Sequence, residues 1–186
     1  MQPEAALEEA ITQVEDAARL PSKERPSLSG TVDTITNHAS RYGLLNAALI
    51  RLVPAATQLD VSTSKALING LYPAERVPVS LVYSIASSLG PGRKPQLSIQ
   101  AQLARWLVLI QDVLAEPESL GRVYGVLFNL LDMLSIRADI CHLLATCTRR
   151  QHVKPFRVDM LLNMQAAFGP DQSLTCLLYT SDAADE

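Results

Sequence analysis

Four groups of residues in this chain have the right types to do chemistry. Cys141, His142 and Cys147 are ligands of the kind that hold zinc. On a helix, however, six residues turn Cys147 roughly 120° away from Cys141, and no second pair such as Cys-x-x-Cys is present. They read as small packed thiols beside a histidine. Ser62-Thr63-Ser64-Lys65 spells the Ser-x-x-Lys of acyl-enzyme chemistry, but the Ser-Asp-Asn and Lys-Thr-Gly partners of that mechanism are missing. Ser62 is better placed to cap a helix, its hydroxyl accepting a backbone N–H. The stretch Gly90-Pro91-Gly92-Arg93-Lys94-Pro95 has the glycines and lysine of a phosphate loop without the Gly-Lys-Ser/Thr end or a preceding strand, so it reads as a turn between helices. Glu116 and Glu118 flank Pro117 at an expected helix start, where carboxylates suit the helix dipole with no acid or base role. None of the four sets is complete. The chain reads as non-enzymatic, with no catalytic, metal-binding or cofactor-binding residues and no small-molecule substrate.

A fifth group is basic. In Thr148–Val158, TRRQHVKPFRV, the cations Arg149, Arg150, Lys154 and Arg157 fall within nine residues. Arg149 and Arg150 are expected in the last turn of one helix, where exposed carbonyls favour cations, and Pro155 at the start of the next. Two readings stay open: a solvated loop whose charges compensate the dipole, or a ridge that meets an acidic partner or a phosphate backbone.

The elements that position these residues are helical. Of 186 residues, 48% are hydrophobic and 19% charged, enough apolar surface for a real core. A formal charge of -3 argues against a whole-surface grip on nucleic acid while allowing a local basic patch. No apolar run is long enough for a membrane span. The acidic start MQPEAALEEA has the character neither of a secretory signal nor of a transit peptide, so cytosol or nucleus is expected. Three cysteines do not make a disulfide framework.

Apolar residues recur at threes and fours, with almost no alternation. Residues 1–20 read as an acidic amphipathic helix with Leu7, Ala10, Ile11, Val14 and Ala18 on one face, and 21–30 as a mobile linker with Pro21, Pro26 and Gly30. Residues 31–175 read as the folded body, with helices expected over 32–42, 44–53, 62–71, 78–89, 95–115, 117–134, 136–148 and 155–168. Pro78, Pro117 and Pro155 lie 39 and 38 residues apart, each opening a helix that a second one follows. That period is near a HEAT repeat, so the expected fold is all-α, a HEAT-like α-solenoid of stacked helical hairpins. In QLARWLVLIQDVL the apolar residues spill beyond one stripe, so this helix is expected to be covered on more than one side. The last eleven residues, CLLYTSDAADE, look like a one-frame translation of a transposase adapter from sequencing libraries. On that reading Cys176–Glu186 is an artefact and the natural chain runs on past Thr175.

RWLVLIQDVL, VYGVLFNLLD and ICHLLATCTRRQHVKPFRVDMLLNMQ, in this order and spacing, resemble the centromere protein I family of inner-kinetochore helical-repeat subunits. The resemblance runs most strongly from Arg105 to Gln165 and is traceable from Val32. It implies a structural role in the nucleus, at the centromere and kinetochore. The implied partners are centromere proteins H and K, a coiled-coil pair, and centromere protein M, with centromeric DNA or chromatin as a further contact. It also implies support of kinetochore assembly and of centromeric histone loading. Direct DNA binding by the basic stretch, or an unrelated HEAT adaptor, are the alternatives.

Overall fold

The spacing of apolar residues becomes a series of α-helices in the computed structural model, which describes residues 3–92 and 94–185. Arg93, within the Gly90–Pro95 stretch, lies outside the described residues. In chain order the helices are α1 (Pro3–Arg19), α2 (Ser29–Tyr42), α3 (Asn46–Ala56), α4 (Val61–Asn69), α5 (Val79–Ser88), α6 (Leu97–Ile110), α7 (Ser119–Arg122), α8 (Tyr124–Phe128), α9 (Leu134–Cys147), α10 (Pro155–Phe168) and α11 (Gln172–Asp185). Short 3-10 turns occupy Ser22–Glu24, Gln111–Val113 and Arg150–His152. The fold is all-α: among the described residues there are two isolated β-bridges and no strand. None of these helices is long and apolar enough to cross a membrane.

Neighbouring helices pair as hairpins, α1 with α2, α3 with α4, α5 with α6, α8 with α9 and α10 with α11. The second helix of each hairpin packs on the next, α2 on α4, α4 on α6, α6 on α9 and α9 on α11. One apolar core runs through all of them, from Ile11 in α1 through Leu107 in α6 to Leu161 in α10. Helix α1 belongs to it, since Ala10, Ile11, Val14 and Ala17 are buried and α1 packs on both α2 and α3. Leu28, ahead of α2, is buried too.

The segments between hairpins cannot satisfy their peptide groups within a helix, so they pair with one another. The Leu44 N–H donates to the Tyr72 carbonyl at 2.7 Å, and the Leu44 carbonyl accepts from Ala74 N–H at 2.9 Å. Val77 repeats the pattern one unit later, donating to the Val113 carbonyl and accepting from Ala115 N–H, both at 2.8 Å. Leu44, Val77 and Leu114 are all buried. Each is an extended residue that closes a rung and plugs the core at once. Gly43 makes the first rung possible: it has φ 74°, and a Cβ there would lie 2.6 Å from the Ala74 Cα.

Several expected boundaries move. Leu44 leaves the helix expected over 44–53 to form its rung. The single helix expected over 117–134 breaks into α7 and α8, because Gly121 and Gly125 weaken it and Gly121 is needed where it stands: a Cβ would come 3.0 Å from the His152 ring. Helix α6 is covered by α4, α5 and α9, yet Leu109 stays 71% exposed, so the helix is not enclosed all round. Asp60, not Ser62, caps α4: its Oδ1 accepts from Thr63 N–H and from the Ser62 hydroxyl. Those bonds, the Ser62 hydroxyl first, pull the Asp60 carboxyl down to about 2. Helix α11 runs on through Cys176, because Leu174, Leu177 and Ser181 recur at threes and fours against the apolar face of α9.

Candidate partner interface

Helix α9 ends at Cys147, and the seven residues before α10 hold themselves in place by a compact set of bonds. The Thr148 hydroxyl donates to the Leu144 carbonyl at 2.8 Å and lies 3.2 Å from the Tyr124 hydroxyl. Arg149 N–H donates to Nδ1 of His152 at 3.1 Å while His152 N–H donates back to the Arg149 carbonyl at 2.8 Å, closing the 3-10 turn. The His152 ring lies on the Tyr124 ring, 4.4 Å between centroids and 8° from parallel. Burial, and then the charge of Arg157, push the His152 pKa below its ordinary value. A neutral ring is what the bond to Nδ1 requires, since protonation would remove that acceptor.

Arg157 works inward. Its Nη1 donates to the His152 carbonyl at 2.7 Å, and its Cζ sits 4.9 Å from the Tyr124 centroid, 5.4 Å from that of Phe156 and 5.5 Å from that of Phe128. Of the four cations of the basic stretch, Arg157 is thus half-buried against the joint while Arg149, Arg150 and Lys154 are exposed. Aromatic faces and a carbonyl left over by the turn draw Arg157 into the joint. Arg149 and Arg150 are not in the last turn of α9, as expected, but in and beside the 3-10 turn; both are exposed, and Nη1 of Arg149 donates to the Thr148 carbonyl at 2.9 Å. Lys154, exposed, precedes Pro155 at the first turn of α10.

Beside the joint lies a groove of about 980 Å³, whose lining includes Asp112, Glu118, Arg122, Arg149, Arg150 and Gln151. Lys154 and Arg157 do not line it. Glu116 pairs with Arg122 at the groove's edge, at 2.5 Å. The lining mixes both signs with the amides of Gln111 and Gln151, which suits polar contact with a protein segment better than capture of a small anion.

The other candidates do not converge. Cys141 and Cys147 are buried and His142 is exposed, on another face of α9. Burial pushes the Cys141 thiol up to about 12 and the Cys147 thiol to about 11, so both stay protonated at neutral pH. Among the described residues no group of three His, Cys, Asp or Glu is gathered closely enough to hold a metal ion. The Ser62 hydroxyl is spent on Asp60. The Gly90–Pro95 loop is stapled by buried Gln100, which accepts from Gly90 N–H at 2.9 Å and donates to the Gly90 and Pro95 carbonyls at 3.1 and 2.9 Å.

Sequence reasoning missed Arg137. It is 2% exposed in α9, its Nε donates to the Leu131 carbonyl at 2.7 Å, and its guanidinium lies 4.5 Å over Phe168. Asp171 Oδ2 approaches Nη1 to 3.5 Å, near enough for attraction without an aligned hydrogen bond, and among the described residues neither terminal nitrogen makes one. The signal was there: Arg137 falls between Ile136 and Ile140 on the apolar face of its helix.

Stacked hairpins occur in proteins of many kinds, so similarity must choose among them. The family profile described as "CENP-I: Mis6" matches residues 2–181. The chain belongs to the CENP-I/Mis6 family. Inner kinetochore subunit mis6 of Schizosaccharomyces pombe is 31% identical over 181 residues, covering 94% of this chain and 27% of its own length. Centromere protein I of Gallus gallus is 30% identical over 176 residues, covering 93% and 23%. The chain thus spans about a quarter of the length of these curated relatives. The crystal structure of centromere protein Cenp-I superposes with a TM-score of 0.89 and 38% identity, over 96% of this chain and 86% of that one. The crystal structure of the kinetochore subunits Cenp-H/I/K triple complex gives the same figures. The CENP-I/Mis6 match takes in α1 and the 21–30 segment, which the resemblance read from sequence had left uncovered.

Proposed function

We propose that this chain is a non-enzymatic scaffold portion of an inner-kinetochore subunit, located in the nucleus at the centromere, that binds helices of centromere proteins H and K. The observation that carries the reading is the close likeness, at a TM-score of 0.89, to a chain from the Cenp-H/I/K triple complex. Stacked hairpins leave grooves between neighbouring helices, and a partner helix laid in such a groove gains affinity from apolar anchors and orientation from charges at the rim. At the α9–α10 joint the rim of the groove is Arg149 and Arg150, with exposed Lys154 beyond it and Arg157 fixing the shape of the joint. Contact with centromere protein M, kinetochore assembly and centromeric histone loading belong to the same reading. Co-purification tests it. The full-length protein retains the H and K partners at micromolar concentration, and a folded full-length protein that fails to retain them overturns the assignment.

A second reading rests on the exposure of Arg149, Arg150 and Lys154 within six residues: direct contact with the phosphate backbone of centromeric DNA. Asp112 and Glu118 across the groove count against it. Duplex binding followed by fluorescence anisotropy at increasing salt decides. A phosphate contact gives an affinity that falls steeply with salt and is abolished by reversing Arg149, Arg150 and Lys154 to Glu. Unchanged binding by the reversed protein refutes the contact.

A further inference from the structure

At the other end of the array, α1, the C-terminus of α2 and the N-terminus of α3 enclose a groove of about 600 Å³. Its apolar lining includes Leu7, Ile11, Tyr42, Leu45, Ala47 and Ala48. Tyr42 is 64% and Leu45 62% exposed. The rung explains Leu45: the extended segment turns Leu44 fully into the core, and alternation turns its neighbour outward. Tyr42 is held in place by a tilted contact with His38, 5.1 Å between centroids. A single exposed leucine means little, but two large side chains flanking a glycine turn above an apolar groove form a patch of the kind that partners cover.

The charges say which partner. Glu4 and Glu8 stand along the α1 side of the groove, and Arg51 stands opposite. The Arg51 guanidinium is already committed: Nη1 donates to Glu8 Oε1 at 2.5 Å, and Nε and Nη2 to Glu15 Oε2 at 3.0 and 2.6 Å. Of the groove's own lining, Glu4 and Glu8 together outweigh this one cation, and an acidic edge remains. Nucleic acid and anionic membranes are repelled by such an edge, and a second copy of the chain would bring an identical acidic helix α1 against it.

We infer that the groove between α1 and α3 receives a basic amphipathic helix of a partner subunit, its apolar face seated between Tyr42 and Leu45 and its lysines or arginines meeting Glu4 and Glu8. The inference deepens the scaffold reading by assigning a second docking face, distinct from the α9–α10 joint, and the chemistry of its occupant.

The test is a display selection with the full-length protein as bait, from a library of 18-residue helical peptides. A leucine stripe at i, i+3, i+4 and i+7 is fixed, and the flanking positions vary between Lys and Glu. Recovered peptides are expected to be rich in Lys. They should bind Leu45→Asp or Tyr42→Asp protein at least about tenfold more weakly, a loss of roughly 1.4 kcal/mol. They should also weaken with salt and with Glu4→Lys, and bind Arg149→Glu/Arg150→Glu protein as they do the parent. Both groove positions are exposed, and circular dichroism verifies that the variants remain folded. Recovery of Glu-rich peptides, no enrichment at all, or binding that survives Leu45→Asp overturns the inference. Because the bait is offered peptides and not the H and K proteins, failure here leaves the co-purification result standing, and failure of co-purification leaves this one standing.

Discussion

The face formed by α1 and α3 and the joint between α9 and α10 both set charged residues beside a groove, and they dispose of the charge in opposite ways. At the first, Arg51 stays at the surface between two carboxylates while large apolar residues are left outside. At the second, Arg157 turns in against three aromatic rings and the His152 carbonyl, and Arg137, at the opposite end of α9, is almost wholly enclosed. A cluster of cations in a sequence is therefore not yet a cationic patch. What separates an inward arginine from an exposed one is whether aromatic faces and orphan carbonyls lie within its reach.

The largest expected effect that would break this contrast comes from Tyr124→Ala, which removes a buried ring touched by both His152 and Arg157. Chemical denaturation should record a loss of about 3–5 kcal/mol. Next is Arg157→Ala, with an expected loss of about 2–3 kcal/mol from a charge-assisted bond and its ring contacts. Arg149→Ala, Arg150→Ala and Lys154→Ala should each stay within about 0.5 kcal/mol. If all four arginine and lysine variants behave alike, the division of the joint into pin and rim is wrong.

Asp60→Ala should cost about 1 kcal/mol, the usual worth of an N-cap. The pH dependence sharpens the comparison, because the two regions lose stability in different windows. His152 has a folded pKa below its unfolded value, so the unfolded chain binds the extra proton. Its contribution is complete above about pH 6.5 and is lost as pH falls through the lowered value. Glu15 is lowered chiefly by its bond from Arg51, and Asp60 by its cap bonds. Their contributions are complete above about pH 4.5 and fade only in stronger acid, Asp60's as pH approaches about 2. The stability difference between the parent and His152→Gln should thus change as pH falls below about 6.5 and become constant once pH lies below the lowered His152 pKa. The smallest effect is Arg51→Ala, at most about 1 kcal/mol and reduced by salt, since that cluster is largely solvated.

Much of this was legible. Helical periodicity, the prolines at Pro78, Pro117 and Pro155, and the glycines after α2 and α10 placed most hairpins within a few residues, because those signals are local. The rungs were not legible, since Leu44, Val77 and Leu114 matter through partners 28 to 38 residues away. The break between α7 and α8 was hidden for a like reason: Gly121 answers to His152, which arrives from a later hairpin. The sequence points to Ser62 as the cap because Asp60 stands two residues before the expected helix start. At the joint, residue types announced four cations, but their division depended on the rings of Tyr124, Phe128 and Phe156, two of them from an earlier helix.

The most direct test pairs two variants of the full-length protein, Arg157→Ala and the triple reversal Arg149→Glu/Arg150→Glu/Lys154→Glu, in thermal melts and in co-purification with centromere proteins H and K. The triple variant should melt like the parent and release its partners, while Arg157→Ala should melt several degrees lower. A triple variant that keeps its partners, or an Arg157→Ala protein that melts like the parent, would contradict a joint built of one inward pin beneath an outward docking rim.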